Sequence, residues 1–190
     1  MRCGPDDPPG GCETGRVDAT DVVADLVARP VTRLFTADPV PADDVLRMVD
    51  AARWTGSARN RQPWRFVAVS DPSLRRTLST LGAYAQHLAA APLVLVLVSA
   101  DDGRTDTEYD LGRVTQSLTL VAATLGYGSC PATLFPAANV ATARAVLGVP
   151  DGWVPRHALA IGRPRRGARP TGTRAVPAGR LPTEELLTVL

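Results

Sequence analysis

The chain has 190 residues, 45% of them hydrophobic and 21% charged, with a formal net charge of +2. That length allows one full core, and so small a charge gives no ground for a nucleic-acid partner. All 21 basic residues are Arg, which excludes lysine Schiff-base chemistry and leaves guanidinium groups, backbone N–H groups and helix N-termini to meet any anion.

The three cysteines, Cys3, Cys12 and Cys130, make no disulfide framework. With only His87 and His157 to help them, no metal site is expected. No apolar run is long enough to span a membrane and the first residues are no signal peptide, which reads as a cytoplasmic protein.

Residues 1–17 hold Gly4, Pro5, Pro8, Pro9, Gly10, Gly11 and Gly15, so a disordered leader is expected before a single domain over 18–190. From Asp18 the pattern is helical. Val22, Val23, Leu26 and Val27 share a face, Asp18 or Thr20 caps the start, and Pro30 ends it. Arg29 and Arg33 follow four residues apart. A second helix opens after Pro41, with Asp43 and Asp44 at the positive end of its dipole and Val45, Met48, Val49 and Ala52 as its buried stripe.

Thr55 to Pro63 is a loop rich in hydrogen-bonding groups, among them Ser57, Asn60 and Gln62. Trp64 to Val69 is a strand entering the core. A polar loop running into a rigid strand suits a heteroaromatic ligand. The plain alternative is a helix-to-strand connector with incidental amides.

Asp71 and Pro72 open a helix through Leu74, Leu78 and Leu81, with Arg75 and Arg76 on its solvated face. A short helix begins at Tyr84–His87 and stops before Pro92. His87 could donate a proton in a site, or be an ordinary surface or packed residue. Leu93 to Val98 is a continuous apolar run and reads as a central strand buried on both faces.

The longest helix is expected over Glu108–Leu125. Leu111, Val114, Leu118, Val121, Ala122 and Leu125 keep its 3.6 period, and Gly126 closes it. Cys130 to Phe135 reads as a connecting loop, with Cys130 a small buried residue. Asn139 caps a helix to Leu147, and Val154 to Ile161 is the last strand. From about residue 162 to 180, Gly, Pro and Arg dominate and form an arm. Arg163, Arg165, Arg166 and Arg169 lack interleaved aromatic residues, so a solvated tail is expected there.

Three stretches carry a likeness. Ser57, Asn60, Gln62, Pro63 and Trp64 stand in an SxxNxQPW pattern before an apolar strand. Arg29, Arg33 and Phe35 stand in a basic, three others, basic, x-Phe pattern upstream. Gly126-Tyr127-Gly128-Ser129-Cys130-Pro131 follows downstream. Together they resemble the signature segments of the FMN-dependent nitroreductase family, in the same order, over about residue 20 to the C-terminus.

The resemblance implies an α+β fold, a small mixed sheet flanked by helices, in an intertwined homodimer. The longest helix would pack against its dimer mate, and the arm would wrap the partner. FMN would be held by Arg29, Pro30, Val31, Arg33, Ser57, Asn60, Gln62, Pro131, Ala132, Thr133, Leu134 and Arg180. One arginine would stabilise charge at N1 and O2 of the ring and another would pair with the phosphate. The amides of Thr133 and Leu134 would point at N5 and O4.

NAD(P)H would reduce the flavin, and a nitroaromatic or quinone would take the electrons in ping-pong fashion, with no catalytic side chain. The neighbouring possibilities are a flavin oxidase like the cyclic dipeptide oxidases, whose NRQ-aromatic loop resembles Asn60–Trp64, and a flavin-binding subunit without catalysis. The chain departs from the pattern at Pro30 and Val31, where the family has Arg or His and then Ser. It departs again at Leu134, commonly Gly, and at Ala178, often Lys. It also lacks the helical excursion that larger members carry near residues 100–106.

Overall fold

The computed structural model describes residues 18–165, 167 and 179–190. The expected leader, and Arg166, Arg169 and Ala178 of the arm, lie outside the described residues. Among the described residues four strands form one sheet: β1 (Trp64–Val69), β2 (Leu93–Ala100), β3 (Gly128–Thr133) and β4 (Trp153–Gly162), in the order β1-β2-β4-β3. Every pairing is antiparallel, so the sheet is not the mixed one expected. The continuous apolar run of β2 marks burial on two faces and is blind to strand direction. Here the helices cover both faces of an antiparallel sheet.

On one face, Leu95, Leu97, Leu159 and Ile161 pack against Met48 and Ala52 of α2 (Ala42–Ala52) and against Leu111, Val114 and Leu118 of α4 (Thr105–Thr124). On the other, Val94, Val96, Ala158 and Ala160 meet Leu78 of α3 (Pro72–Ser79), Leu88 of a 3-10 turn at Gln86–Ala90, and Ala143 of α5 (Ala137–Leu147). The alternation of Val and Leu along β2 thus sorts its side chains between two cores. Fully burying one such side chain contributes about 1.5–3 kcal/mol.

Four local expectations are corrected. The stretch from Gly128 is a strand, not a connecting loop. Its Gly-Ser-Cys-Pro-Ala-Thr sequence has little β propensity, and Pro131 is tolerated because β3 is an edge strand. Helix α4 begins three residues early, because Asp102 accepts the Arg104 N–H at 3.1 Å and the Thr107 hydroxyl at 2.9 Å. Asn139 lies inside α5 and its side chain donates back to Phe135 O at 2.9 Å. Arg75 is half-buried and reaches the carbonyl of Ala91 instead of solvent.

Helix α1 (Ala19–Ala28) is capped by Asp18, which accepts the Thr20 N–H, and it has no buried residue. Val22, Val23 and Val27 are exposed on it. A short helix, α6 (Thr183–Leu186), lies near the C-terminus. Among the described residues no helix is long and apolar enough to cross a membrane.

Candidate active site

The segment after α1 is laid across the end of the sheet by backbone bonds. Thr32 N–H donates to Ser129 O at 2.8 Å, Thr36 N–H to Arg163 O at 2.9 Å and Arg165 N–H to Leu34 O at 3.0 Å. Phe35 is buried beneath them and forms a bridge with Pro164. Gly128 permits the approach: a Cβ there would lie 2.3 Å from Thr32 Oγ1 and 2.6 Å from Thr32 Cβ. Arg29 turns back and donates from Nη1 to Ala123 O at 2.8 Å, next to the last carbonyls of α4 where a cation is favourable.

These contacts leave a groove of about 490 Å³ between α1, the segment 29–32, α4 and β3. Arg29, Pro30, Val31, Thr32, Gln116, Thr119, Ser129 and Pro131 line it. Pro131 is exposed and supplies a flat floor. A second cavity of about 400 Å³ continues from it and shares Gln116 and Pro131. It runs between α4 and the sheet to Glu108 and His157.

His157 is held at one ring nitrogen and has a carboxylate near the other. Nδ1 lies 3.1 Å from Thr133 Oγ1 and Nε2 lies 3.4 Å from Glu108 Oε2. Arg156 Nη1 is 3.3 Å from Glu108 Oε1, and its Nη2 is 3.7 Å from Asp101 Oδ1. Sequence reading passed over this cluster. Its members come from β4, α4 and the turn after β2, and nothing local pairs them.

The loop Ser57–Gln62 is strained. Arg59, Asn60 and Gln62 all have positive φ, at 52°, 53° and 48°. Left-handed backbone at three non-glycine residues within four positions persists only where the surroundings impose it. The Ser57 hydroxyl accepts the Gln62 N–H at 2.9 Å. Asp110, buried to 2% exposure, accepts the Ala58 N–H at 2.8 Å. Arg61 reaches Asp102 at 2.8 Å and Asp106 at 2.6 Å. Although burial works the other way, the Arg104 N–H, the Thr107 hydroxyl and the Arg61 guanidinium hold the Asp102 carboxyl below the usual carboxylate range.

The loop and the groove do not meet in one chain. Ser57, Asn60 and Gln62 are not among the groove residues. Their loop is fastened to Asp110, Arg113 and Ser117 of α4, whereas the groove uses Gln116, Thr119 and Ala123. At 100° per residue the two sets stand about 120° apart around the helix axis.

Other expected site residues have mixed placements. Arg33 is exposed, with no hydrogen bond or ion pair among the described residues, and its charge is felt by both His87 and Cys130. Ala132 and Leu134 are buried in the opposite core. The Leu134 amide, assigned by resemblance to the ring, donates instead to Arg156 O at 2.8 Å. Antiparallel pairing alternates, so the Thr133 amide faces away from β4, on the side where Gly82 lies against the Thr133 carbonyl. Arg180 is exposed and donates to Gly179 O.

His87 is half-buried with Nε2 3.3 Å from Cys130 O. Burial pushes its pKa below the usual value; the bond to Cys130 opposes this and the nearby Arg33 charge adds to it. Burial also pushes the Cys130 thiol up, away from a nucleophile's range.

A histidine depressed in the folded state binds fewer protons than its unfolded counterpart below about pH 6.5. Its contribution to stability is therefore complete above that pH and is lost as pH falls toward the folded value. The thermal midpoint of the protein should decline through this range, and His87→Gln should flatten that part of the profile. Parallel profiles for the two proteins would show that His87 plays no part.

The Nitroreductase family model matches the chain over residues 26–83 and 78–163. The chain belongs to the nitroreductase family. Among its relatives, an Archaeoglobus fulgidus protein named as a candidate NADH dehydrogenase/NAD(P)H nitroreductase is 27% identical over 146 residues, 74% of this chain and 83% of its own length. Two solved structures of family members share the fold. That of a nitroreductase family protein from Streptococcus pneumoniae TIGR4 has a TM-score of 0.74 at 21% identity, over 88% of this chain and all of its own. The other, titled an FMN-dependent nitroreductase, from Clostridium difficile R20291, has a TM-score of 0.70 at 19% identity, over 84% of this chain and 99% of its own.

Proposed function

We propose that the chain is an FMN-dependent oxidoreductase that takes electrons from NADH or NADPH and passes them to nitroaromatic or quinone-type acceptors in ping-pong fashion. The observation that carries this reading is the flat-floored groove at Pro131, with Arg29 in its wall. The donor set suits a planar anionic ligand. The Arg29 guanidinium is there for negative charge and Pro131 gives a face for stacking. When bound, FMN supplies a ring that accepts a hydride from nicotinamide and yields it to the acceptor.

The chain's own work is to bind and orient. Arg29, Pro30 and Val31 form one wall of the site, and Arg33 would act from the same segment. Pro131 and Thr133 face this side of β3, while Ala132 and Leu134 support the strand from the opposite core, the Leu134 amide being engaged in the sheet. Arg180 completes the set from the C-terminal stretch. Ser57, Asn60 and Gln62 contribute from a second copy of the chain. The separation of loop and groove around α4 supports this, since one ligand can touch both only if a partner's loop closes over the groove. The exposed valines of α1 give such a partner an apolar surface.

The test is an anaerobic cuvette of purified yellow protein. NADH or NADPH at about 1 mM, above the usual range of KM, should bleach the flavin, and several quinones or nitroaromatics should restore it. Failure of both nicotinamides, with bleaching by an amino-acid-derived substrate and recovery by oxygen, would replace the reductase reading with an oxidase one. Light scattering that finds a monomer binding FMN tightly would overturn the shared site.

A further inference from the structure

We propose that the cavity continuing beyond Pro131 is the acceptor subsite and that His157 is its proton donor, a reading that rests on the flavin oxidoreductase function proposed above. The resemblance expected no catalytic side chain. Yet His157 interrupts a sheet face that is otherwise apolar at Leu97, Leu159 and Ile161, and it opens into the cavity that shares Pro131 and Gln116 with the groove. An acceptor lying along this cavity has a redox ring at one end and an imidazole at the other.

The imidazole is oriented for the task. Thr133 Oγ1 holds Nδ1 at 3.1 Å, and Glu108 Oε2 lies 3.4 Å from Nε2 as an ion-pair neighbour without hydrogen-bond alignment, which leaves Nε2 to meet a substrate. The groups facing it are Glu108 from α4, Thr133 from β3, Arg156 from β4 itself and, through Arg156, Asp101 from the turn after β2. Two carboxylates thus lie around one guanidinium beside the imidazole. Its side chain is 34% exposed, so solvent can return a proton after each turnover.

Reduction of a quinone to a hydroquinone takes two electrons and two protons. The hydride that originates on nicotinamide accounts for both electrons and one proton. The second proton comes from the imidazolium. An O–H bond forms at the quinone oxygen as the N–H bond of His157 breaks, and the neutral ring is recharged from water beside Glu108. Glu108 is a positioning residue; His157 gives the proton.

The experiment starts from flavoprotein reduced by dithionite, so it does not depend on the nicotinamide step. Reoxidation by benzoquinone should slow about a hundredfold in His157→Gln and lose its pH dependence, in the range for loss of a general acid. Reoxidation by ferricyanide, which needs no proton, should stay within about twofold of wild type, as should flavin content. Glu108→Gln should slow the quinone reaction less and leave ferricyanide unchanged.

A second measurement needs no variant. The chain has two histidines, so nitrogen-15 labelling gives two imidazoles to follow. Hydroquinone added to the oxidised protein should shift His157 and leave His87 in place. Equal losses with both oxidants, unchanged quinone reoxidation, or a hydroquinone shift at neither histidine would overturn the proposal. If nicotinamides fail to reduce a protein that passes these tests, only the donor reading above falls. If nicotinamides reduce the protein and His157→Gln reoxidises normally, only this inference falls. A protein that holds no flavin overturns both.

Discussion

Gly128→Ala should weaken FMN binding by about ten- to a hundredfold, the equivalent of the 1–3 kcal/mol that overpacking costs. A methyl group at this position meets three atoms of Thr32, at 2.3, 2.6 and 2.9 Å. Relief requires the segment 29–33 to leave β3, which breaks the Thr32 N–H to Ser129 O bond and shifts Arg29 and Pro30 along the groove wall. All three clashing atoms belong to the Thr32 side chain, so Thr32→Gly should restore part of the affinity in the double variant. Fluorescence titration of the apoprotein with FMN measures both. Equal affinity in Gly128→Ala and wild type would remove this segment from the flavin site.

Asp110→Ala should destabilise the protein by about 2–3 kcal/mol, because a charge-assisted bond is lost and a part-buried N–H is left without its acceptor. The carboxylate lies at 2% exposure, 2.8 Å from the Ala58 N–H and 3.7 Å from Arg113 Nη1. It is the inner anchor of a loop whose backbone stays in an unfavourable conformation at three residues. Without it the loop can relax, so flavin affinity should fall along with stability. Asp110→Asn keeps an oxygen for Ala58 and should lose less of both. Urea unfolding gives the first quantity, and an unchanged midpoint for Asp110→Ala would show that the anchor lies elsewhere.

Periodicity made most helices and strands legible. The stripe of Met48 and Ala52, the alternation along β2 and the caps at Asp18 and Asp71 all act over a few residues, and sequence carries them directly. What it concealed is held by distant partners. Strand β3 has almost no β propensity of its own and exists because β4 pairs with it. The Leu134 amide could be placed only once its partner at Arg156 was known.

Arg61 finds its carboxylates more than forty residues away. Glu108 and His157 meet across forty-nine positions, read from their numbers. One signal was available. Asp110 stands four and eight residues before Val114 and Leu118, on the side of α4 that is buried. A lone charge in line with an apolar stripe has to have a partner, and that partner is the signature loop.

Pro131 has a further effect through what it lacks. It sits in an edge strand whose outer row is engaged at Ser129 O by Thr32 and crowded at Thr133 O by Gly82, so that only the stretch between them would otherwise offer a template for another extended chain. A proline contributes no N–H to that row, so a stray strand cannot zip along the edge past this point. The face of the strand stays open to a flat molecule while its rim resists aggregation. Replacing Pro131 by valine would keep a flat apolar surface and remove the guard, so the variant's first symptom would be insolubility at high concentration, before any loss of binding.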